Sequence, residues 1–212
     1  LKYYRHASVD FRGHPLTISR TGWSGEFGYE IYLGNQDQGD ALFDALMQAG
    51  SDCNVAPGAV SQARRIESGI MSWGVDMTPN ENPYEVGLDR LVELDSTPEF
   101  IGRAALTRLK KQPLKGRLVG MRIGGPALDP NEDPWPLTRD GRTSGRLTSL
   151  AYSPRLETNV ALGFVAADQA AIGTELIADT WDGPRKARVC GLPFLPKRQQ
   201  GDARALLDSL GA

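Results

Sequence analysis

Between Ser19 and Tyr32 the chain reads S-R-T-G-W-S-G-E-F-G-Y-E-I-Y, setting glycines, carboxylates and aromatic rings side by side before an apolar strand. A carboxylate held beside an aromatic face by glycine-rich backbone suits a flat heterocycle that carries its own N–H donors. The carboxylate accepts two parallel hydrogen bonds and the ring supplies an apolar wall. Glu30 and Trp23 are the candidates for these two roles. Glu26 lies four residues before Glu30, so the two would share a face if the strand ran unbroken, but the glycines at 22, 25 and 28 interrupt it. The competing reading is a strand-end glutamate paired with a surface lysine, next to a tryptophan that packs a core. Residue types alone leave both open.

A second group is Arg64-Arg65-Ile66-Glu67. One arginine could neutralise a carboxylate on a ligand. Consecutive helical residues point about 100° apart, so the two arginines would have separate roles, and one buried structural arginine beside one solvated arginine is an equally good account. Asp76, in Ser72-Trp73-Gly74-Val75-Asp76-Met77, is either a catalytic acid or a turn-capping residue. Asn80-Glu81-Asn82-Pro83 reads as the pin of the loop that follows, and Lys197-Arg198 as two charges that reach an anion or simply meet solvent. With His6 and His14 as the only histidines, a Ser–His–Asp set or a histidine metal cluster has little to build on. No G-x-x-x-x-G-K-[ST] is present to cradle a nucleotide.

The elements that must position these residues fall into two textures. The first part predicts strands over Pro15–Ser19 and Tyr29–Leu33 and helices over Gly39–Gly50, Val60–Ile70 and Gly102–Lys111, with a loop over Thr78–Pro83. From Leu114 onward, 118–123, 145–152, 159–165, 174–179 and 185–192 read as five short strands with turn signals at Asp140-Gly141 and Asp182-Gly183, which predicts a small antiparallel barrel or sandwich. The proline- and acid-rich stretch 124–142 is expected to be a long surface loop, and 202–210 a closing helix. The fold class is therefore α+β, with an α+β region over 1–112 and a β-barrel over 113–212. A chain of 212 residues with 40% hydrophobic content can bury a core of this kind. A net charge of −2 gives no field for nucleic acid or an acidic membrane surface. Cys53 and Cys190 stand alone, without C-x-x-C spacing, which fits a reducing cytoplasm, and no apolar run reaches membrane-spanning length. A start at Leu1, almost directly into a strand, reads as the tail of a longer polypeptide.

The motifs resemble, in order and over nearly the whole chain, those of the glycine cleavage T-protein (aminomethyltransferase) family. Ser19–Tyr32 is similar to S-R-T-G-Y-T-G-E-D-G-Y-E-I-Y, and Ala41–Leu46 to A-L-W-D-A-L. Arg65–Gly69 is similar to R-L-E-A-G, Trp73–Met77 to Y-G-H-D-M, Phe100–Leu106 to F-I-G-R-E-A-L, Thr148–Pro154 to T-S-G-T-Y-S-P, and Leu192–Phe194 to the terminal L-P-F. The resemblance implies a tetrahydrofolate-binding C1 transferase. This chain would cover part of its cloverleaf of folate-binding domains followed by the C-terminal barrel. It implies that Glu30 binds the pterin and that Trp23 stands where a tyrosine contacts folate. It also implies that the catalytic aspartate belongs to the N-terminal half, outside this sequence, so that the catalytic residue is unknown here and the fragment alone is inactive. Ser61 occupies a position where the family has a cofactor-contacting arginine, with Arg64 the nearest substitute. Residues 65–88 are closer to a branch that includes dimethylsulfoniopropionate demethylase, which shifts the expected donor from an aminomethyl group on a lipoyl carrier protein toward a small-molecule methyl donor. A folate-binding accessory protein of the same fold is the alternative. Neither nucleic acid nor membrane is an expected partner, and the expected location is the cytoplasm.

Overall fold

The computed structural model describes residues 1–195; the expected helix at 202–210 and the pair Lys197-Arg198 lie outside the described residues. The chain divides into two compact units, with the boundary after Ser61.

The first unit opens with a hairpin. Strands β1 (His6–Phe11) and β2 (His14–Ser19) are joined by Arg12 and Gly13, both with positive φ (55° and 80°), the two-residue turn whose twist matches that of its strands. β3 (Glu30–Leu33) pairs antiparallel with β2, completing a three-stranded sheet in the order β1-β2-β3. Register separates the faces. Ala7, Val9, Leu16, Ile18, Ile31 and Leu33 share one face; Ser8, Thr17, Ser19, Glu30 and Tyr32 share the other. Helix α1 (Gly39–Ala49) ends at Gly50 as the sequence predicts, yet none of its residues is fully buried, and Phe43 and Leu46 are about half exposed. Leu16 is the one buried hydrophobic residue among those described in this unit.

The second unit is built around a closed six-stranded antiparallel barrel in the order β4-β7-β6-β5-β8-β9. Its strands are β4 (Gly116–Ile123), β5 (Trp135–Arg139), β6 (Arg142–Ser153), β7 (Thr158–Ala166), β8 (Glu175–Thr180) and β9 (Gly183–Cys190). The interior is filled by Met121, Leu137, Leu147, Leu150, Leu176 and Val189, each almost wholly buried, with Leu128 packed into the same cluster. Two expectations are corrected. The barrel has six strands, not five, because part of the stretch expected to be loop is β5, which pairs with β6 on one side and β8 on the other and so closes the sheet. Helix α2 is shorter than expected, Gln62–Glu67, because Gly69 takes a positive φ of 66° and its N–H turns back to the Ile66 carbonyl. Val60, expected on its apolar stripe, is 72% exposed outside the helix. α2 lies on the outside of β6 and β7, where Ile66 packs with Ala151, Val160 and Leu162. The third helix, α3, spans Arg103–Lys110.

Candidate functional site

Glu30 begins β3 directly opposite Ser19. The segment between Arg20 and Glu30 is loop, so Glu26 does not continue the strand and does not share the face of Glu30. A short relay of hydroxyls fixes the Glu30 carboxylate. Ser19 Oγ and Thr21 Oγ1 are 2.9 Å apart, and Thr21 Oγ1 donates to Glu30 Oε2. Since Thr21 has one proton and gives it to the carboxylate, Ser19 is the donor in the first bond. Tyr32 Oη donates to the same oxygen at 3.2 Å. Both bonds fall on Oε2, and among the described residues nothing donates to Oε1. The carboxylate is thus oriented by its neighbours while one oxygen stays open to a donor from outside. Trp23, in the preceding loop, leaves 40% of its surface accessible, a broad indole edge still available for contact.

Ser19, Thr21 and Tyr32 were not singled out in the sequence. The signal was present: Tyr32 is two residues beyond Glu30 on a strand, hence on the same face, and Ser19 and Thr21 flank the same edge.

The second unit separates the two arginines. Arg64 is exposed on α2, whereas Arg65 is 3% exposed and belongs to a polar network. Its Nη1 donates to Asp76 Oδ2 at 2.8 Å and to the Ile70 carbonyl at 3.0 Å, its Nη2 to Ser149 Oγ at 2.8 Å, and its Nε to Gln62 Oε1 at 2.5 Å. Asp76, fully buried, also accepts from the Ser72 N–H at 2.8 Å and lies 2.6 and 2.7 Å from the hydroxyls of Thr148 and Ser149. A β-bulge puts those two hydroxyls on the same side. β6 shifts register between Leu147 and Ser149 against β7, so consecutive residues both turn toward Asp76. Asp76 is therefore the anchor of the 70–77 turn and not a free acid.

Glu67, at the end of α2, is held in a similar way by Ser153 Oγ (2.5 Å) and by Arg155. The loop beyond is pinned by two glutamates in tandem, each reaching back three residues. Glu81 accepts from the N–H and hydroxyl of Thr78 (2.8 and 2.7 Å), and Glu85 from the N–H and side-chain amide of Asn82 (3.0 and 2.8 Å). Burial pushes the Glu81 carboxyl up, but the bonds from Thr78 and from Arg146 (2.7 Å), together with the charge of Arg146, hold it below its ordinary value.

An antiparallel sheet bearing an oriented, half-open carboxylate, followed by a closed six-stranded barrel with a buried ionic network on its outer wall, is a mixed α/β arrangement of defined kind. Residues 1–96 match the GCVT N-terminal domain and residues 117–195 the glycine cleavage T-protein C-terminal barrel domain. The chain belongs to the glycine cleavage T-protein family. It is 38% identical over 189 residues to dimethylsulfoniopropionate demethylase DmdA of Ruegeria pomeroyi, covering 89% of this chain and 51% of the relative. It is 33% identical over 197 residues to the aminomethyltransferase of Halothermothrix orenii, covering 92% and 54%. The crystal structure of glycine cleavage system aminomethyltransferase T from Bartonella henselae superimposes with a TM-score of 0.75 at 27% identity, over 86% of this chain and 50% of that one. The chain spans about half the length of these relatives. Among the described residues no helix is long and apolar enough to cross a membrane.

Proposed function

We propose that the protein acts in tetrahydrofolate-dependent transfer of a C1 unit, methyl or aminomethyl, and that Glu30, Trp23 and Arg64 are its cofactor-binding residues. The observation that carries this reading is the Glu30 carboxylate, with Oε2 fixed by Thr21 and Tyr32 and Oε1 left open. That open acceptor fits a pterin, which brings the N–H donors. The open oxygen, with both of its lone-pair sites free, accepts from the pterin N–H groups, while Thr21 and Tyr32 take the two sites on Oε2. Tetrahydrofolate, when bound, would supply the N5 nitrogen that exchanges the C1 unit. Glu30 orients the ring by charge-assisted hydrogen bonds, and Trp23 covers an apolar face and keeps water from it. Arg64, exposed on α2, offers a guanidinium to the anionic glutamyl end.

Proton handling at the reacting nitrogen falls to groups outside these 212 residues. In support, Asp76, the one fully buried aspartate among those described, is fully engaged by Arg65, Ser72, Thr148 and Ser149. The domain division proposed with this reading is a folate-binding α+β region over 1–112 and a barrel domain from 113, and the expected location is the cytoplasm. A methyl donor would be a small molecule; an aminomethyl donor would be presented on a lipoyl carrier.

Calorimetric titration of (6S)-tetrahydrofolate tests the cofactor. Glu30→Gln turns one acceptor into a donor and is expected to weaken binding by at least about 1 kcal/mol. Unchanged affinity removes Glu30 from the site, and no binding at high micromolar ligand removes the folate reading. Scoring 5-methyl- against 5,10-methylene-tetrahydrofolate in a polypeptide of the relatives' full length then separates the two donors.

A further inference from the structure

Glu85 is 6% exposed, and its carboxylate is held by one oxygen only. Oε2 accepts from the Asn82 N–H at 3.0 Å and from the Asn82 side-chain amide at 2.8 Å, while Asn82 Oδ1 accepts in return from the Glu85 N–H at 3.3 Å. Oε1 accepts from no group among the described residues, yet it is not sealed away from solvent. Nor does any described arginine or lysine pair with this carboxylate, in contrast to Glu81, whose charge is met by Arg146 at 2.7 Å. A carboxylate with this degree of burial ordinarily has a cation or a full set of donors around it, because the desolvated charge is otherwise costly. The backbone beneath it is fixed. The Glu85 carbonyl accepts from the Leu118 N–H at 2.8 Å, which ties the loop to β4.

Glu85 borders a cavity of ≈ 320 Å³ inside the second unit, whose lining joins the 79–85 loop to the end of α3 and the segment leading into β4. Leu109, Pro113 and Leu114 give the cavity apolar walls. Lys115 also lines it and is exposed, so it stands at the rim, and it has no ion-pair partner among the described residues. The Lys115 carbonyl accepts from the Ala167 N–H at 3.2 Å, so this lysine too is carried on fixed backbone. The cavity therefore offers a buried negative charge, an apolar middle and an exposed positive charge. A purely cationic ligand would be repelled by Lys115 and a purely anionic one by Glu85, whereas a ligand with one charge of each sign satisfies both. The volume lies in the range of small-molecule sites.

We propose that this cavity binds a small amino acid whose ammonium and carboxylate stand at opposite ends of an aliphatic body, the ammonium on Glu85 Oε1 and the carboxylate on Lys115. The site lies in the barrel unit, uses none of Glu30, Trp23 or Arg64, and does not depend on the folate reading. An ammonium at Glu85 supplies both the cation and the donor that the carboxylate lacks. Because Asn82 orients Glu85 in advance, capture demands little further ordering of the protein. Leu109, Pro113 and Leu114 take the methylene groups out of water.

The probes are 4-aminobutanoate, 6-aminohexanoate and 8-aminooctanoate, each set against the alkylamine and the alkanoate of the same chain length. Calorimetry on the 212-residue chain gives the affinity, and amide ¹H–¹⁵N shifts give the place. At least one amino acid is expected to bind at concentrations up to about 10 mM, about tenfold more tightly than its amine or its acid counterpart. It should move the amide signals of the 79–85 loop and of residues 109–116. Glu85→Gln keeps an oxygen toward Asn82 and turns an NH2 into the cavity, so the loop stays capped while affinity falls about tenfold or more. Lys115→Met, at an exposed position that leaves the fold intact, lowers the amino acid to the affinity of the amine. No binding by any of the three, equal binding of amino acid, amine and acid, or shifts confined to residues outside the cavity overturns the proposal. So does an affinity that survives Lys115→Met, or one that survives Glu85→Gln in a variant whose far-ultraviolet dichroism is native.

Discussion

Asp76→Asn should be among the most damaging single substitutions in the barrel unit, and its cost can be worked from the geometry. The change preserves shape and removes one charge. Arg65, 3% exposed, loses its ion pair with Asp76 at 2.8 Å. Breaking a buried pair from one side costs about 3–5 kcal/mol, most of it the desolvation of the orphaned charge. The amide orientation moderates this. The Oδ2 position receives two donors that cannot reverse, Arg65 Nη1 and the Ser72 N–H, while the Oδ1 position faces the rotatable hydroxyls of Thr148 and Ser149. The new NH2 therefore points at the hydroxyls, which can turn to accept, and the loss settles near the low end, about 3 kcal/mol. Against a total stability of about 5–15 kcal/mol, that is a large fraction. Urea unfolding followed by circular dichroism reads it as a midpoint lowered by roughly 1–3 M at unchanged slope. The double replacement Arg65→Met with Asp76→Leu removes both charges and should cost less than Asp76→Asn alone. A loss below about 1 kcal/mol for Asp76→Asn, or a double variant as unstable as the two single variants added together, refutes the reasoning.

Glu81 gives a prediction in pH. Because its folded carboxyl lies below the ordinary 4.5, it contributes stability above that value and loses it as pH falls through the folded one. Glu81→Gln should thus be less stable than the unaltered chain at neutral pH and converge with it under acid, and parallel urea midpoints across pH 3 to 7 would contradict this. Gly145→Ala probes the β6–β7 contact. An added Cβ would lie 2.1 Å from the Phe164 carbonyl oxygen and 2.8 Å from Val165 Cα, both backbone atoms. A loss of about 1–3 kcal/mol in thermal or urea unfolding is expected, and a neutral outcome would mean the strands separate more easily than their register suggests.

Most of the elements could be read in advance. The strands at Pro15–Ser19 and Tyr29–Leu33, helix α1 with Gly50 behind it, and five of the barrel strands have the alternation or spacing that forms them. β5 escaped because Pro136 and the surrounding prolines and acids look like loop, and a strand read in isolation gives no account of its neighbours. The informative residues were Asp140 and Gly141. Both take positive φ (51° and 73°), the mark of a tight hairpin, and a hairpin requires a strand on each side. The candidate site was only half legible. Glu30 and Trp23 stand out by type, but the hydroxyls that orient Glu30 become visible only when strand register is known. The roles of Arg65 and Asp76 were undecidable from spacing, since their partners Thr148 and Ser149 are more than seventy residues away. The lack of burial along α1 was equally invisible, because an amphipathic stripe specifies a helix without specifying what covers it.

The extra residue in β6 also resets the strand's phase. Leu147 and Leu150 both fill the barrel interior although an odd number of positions separates them, and Ala151 faces outward against α2. An uninterrupted strand cannot achieve this, since inward positions recur only at even separations. Removing Thr148 would set the two leucines two positions apart, so both would stay inside an unbroken strand, and the cost would fall on the hydroxyl pair that meets Asp76. Length in the regular stretches of this strand is therefore quantised: a change of two residues preserves the interior and a change of one exchanges inside for outside, whereas the bulge is the one place where a single residue can be lost with the leucines still in phase.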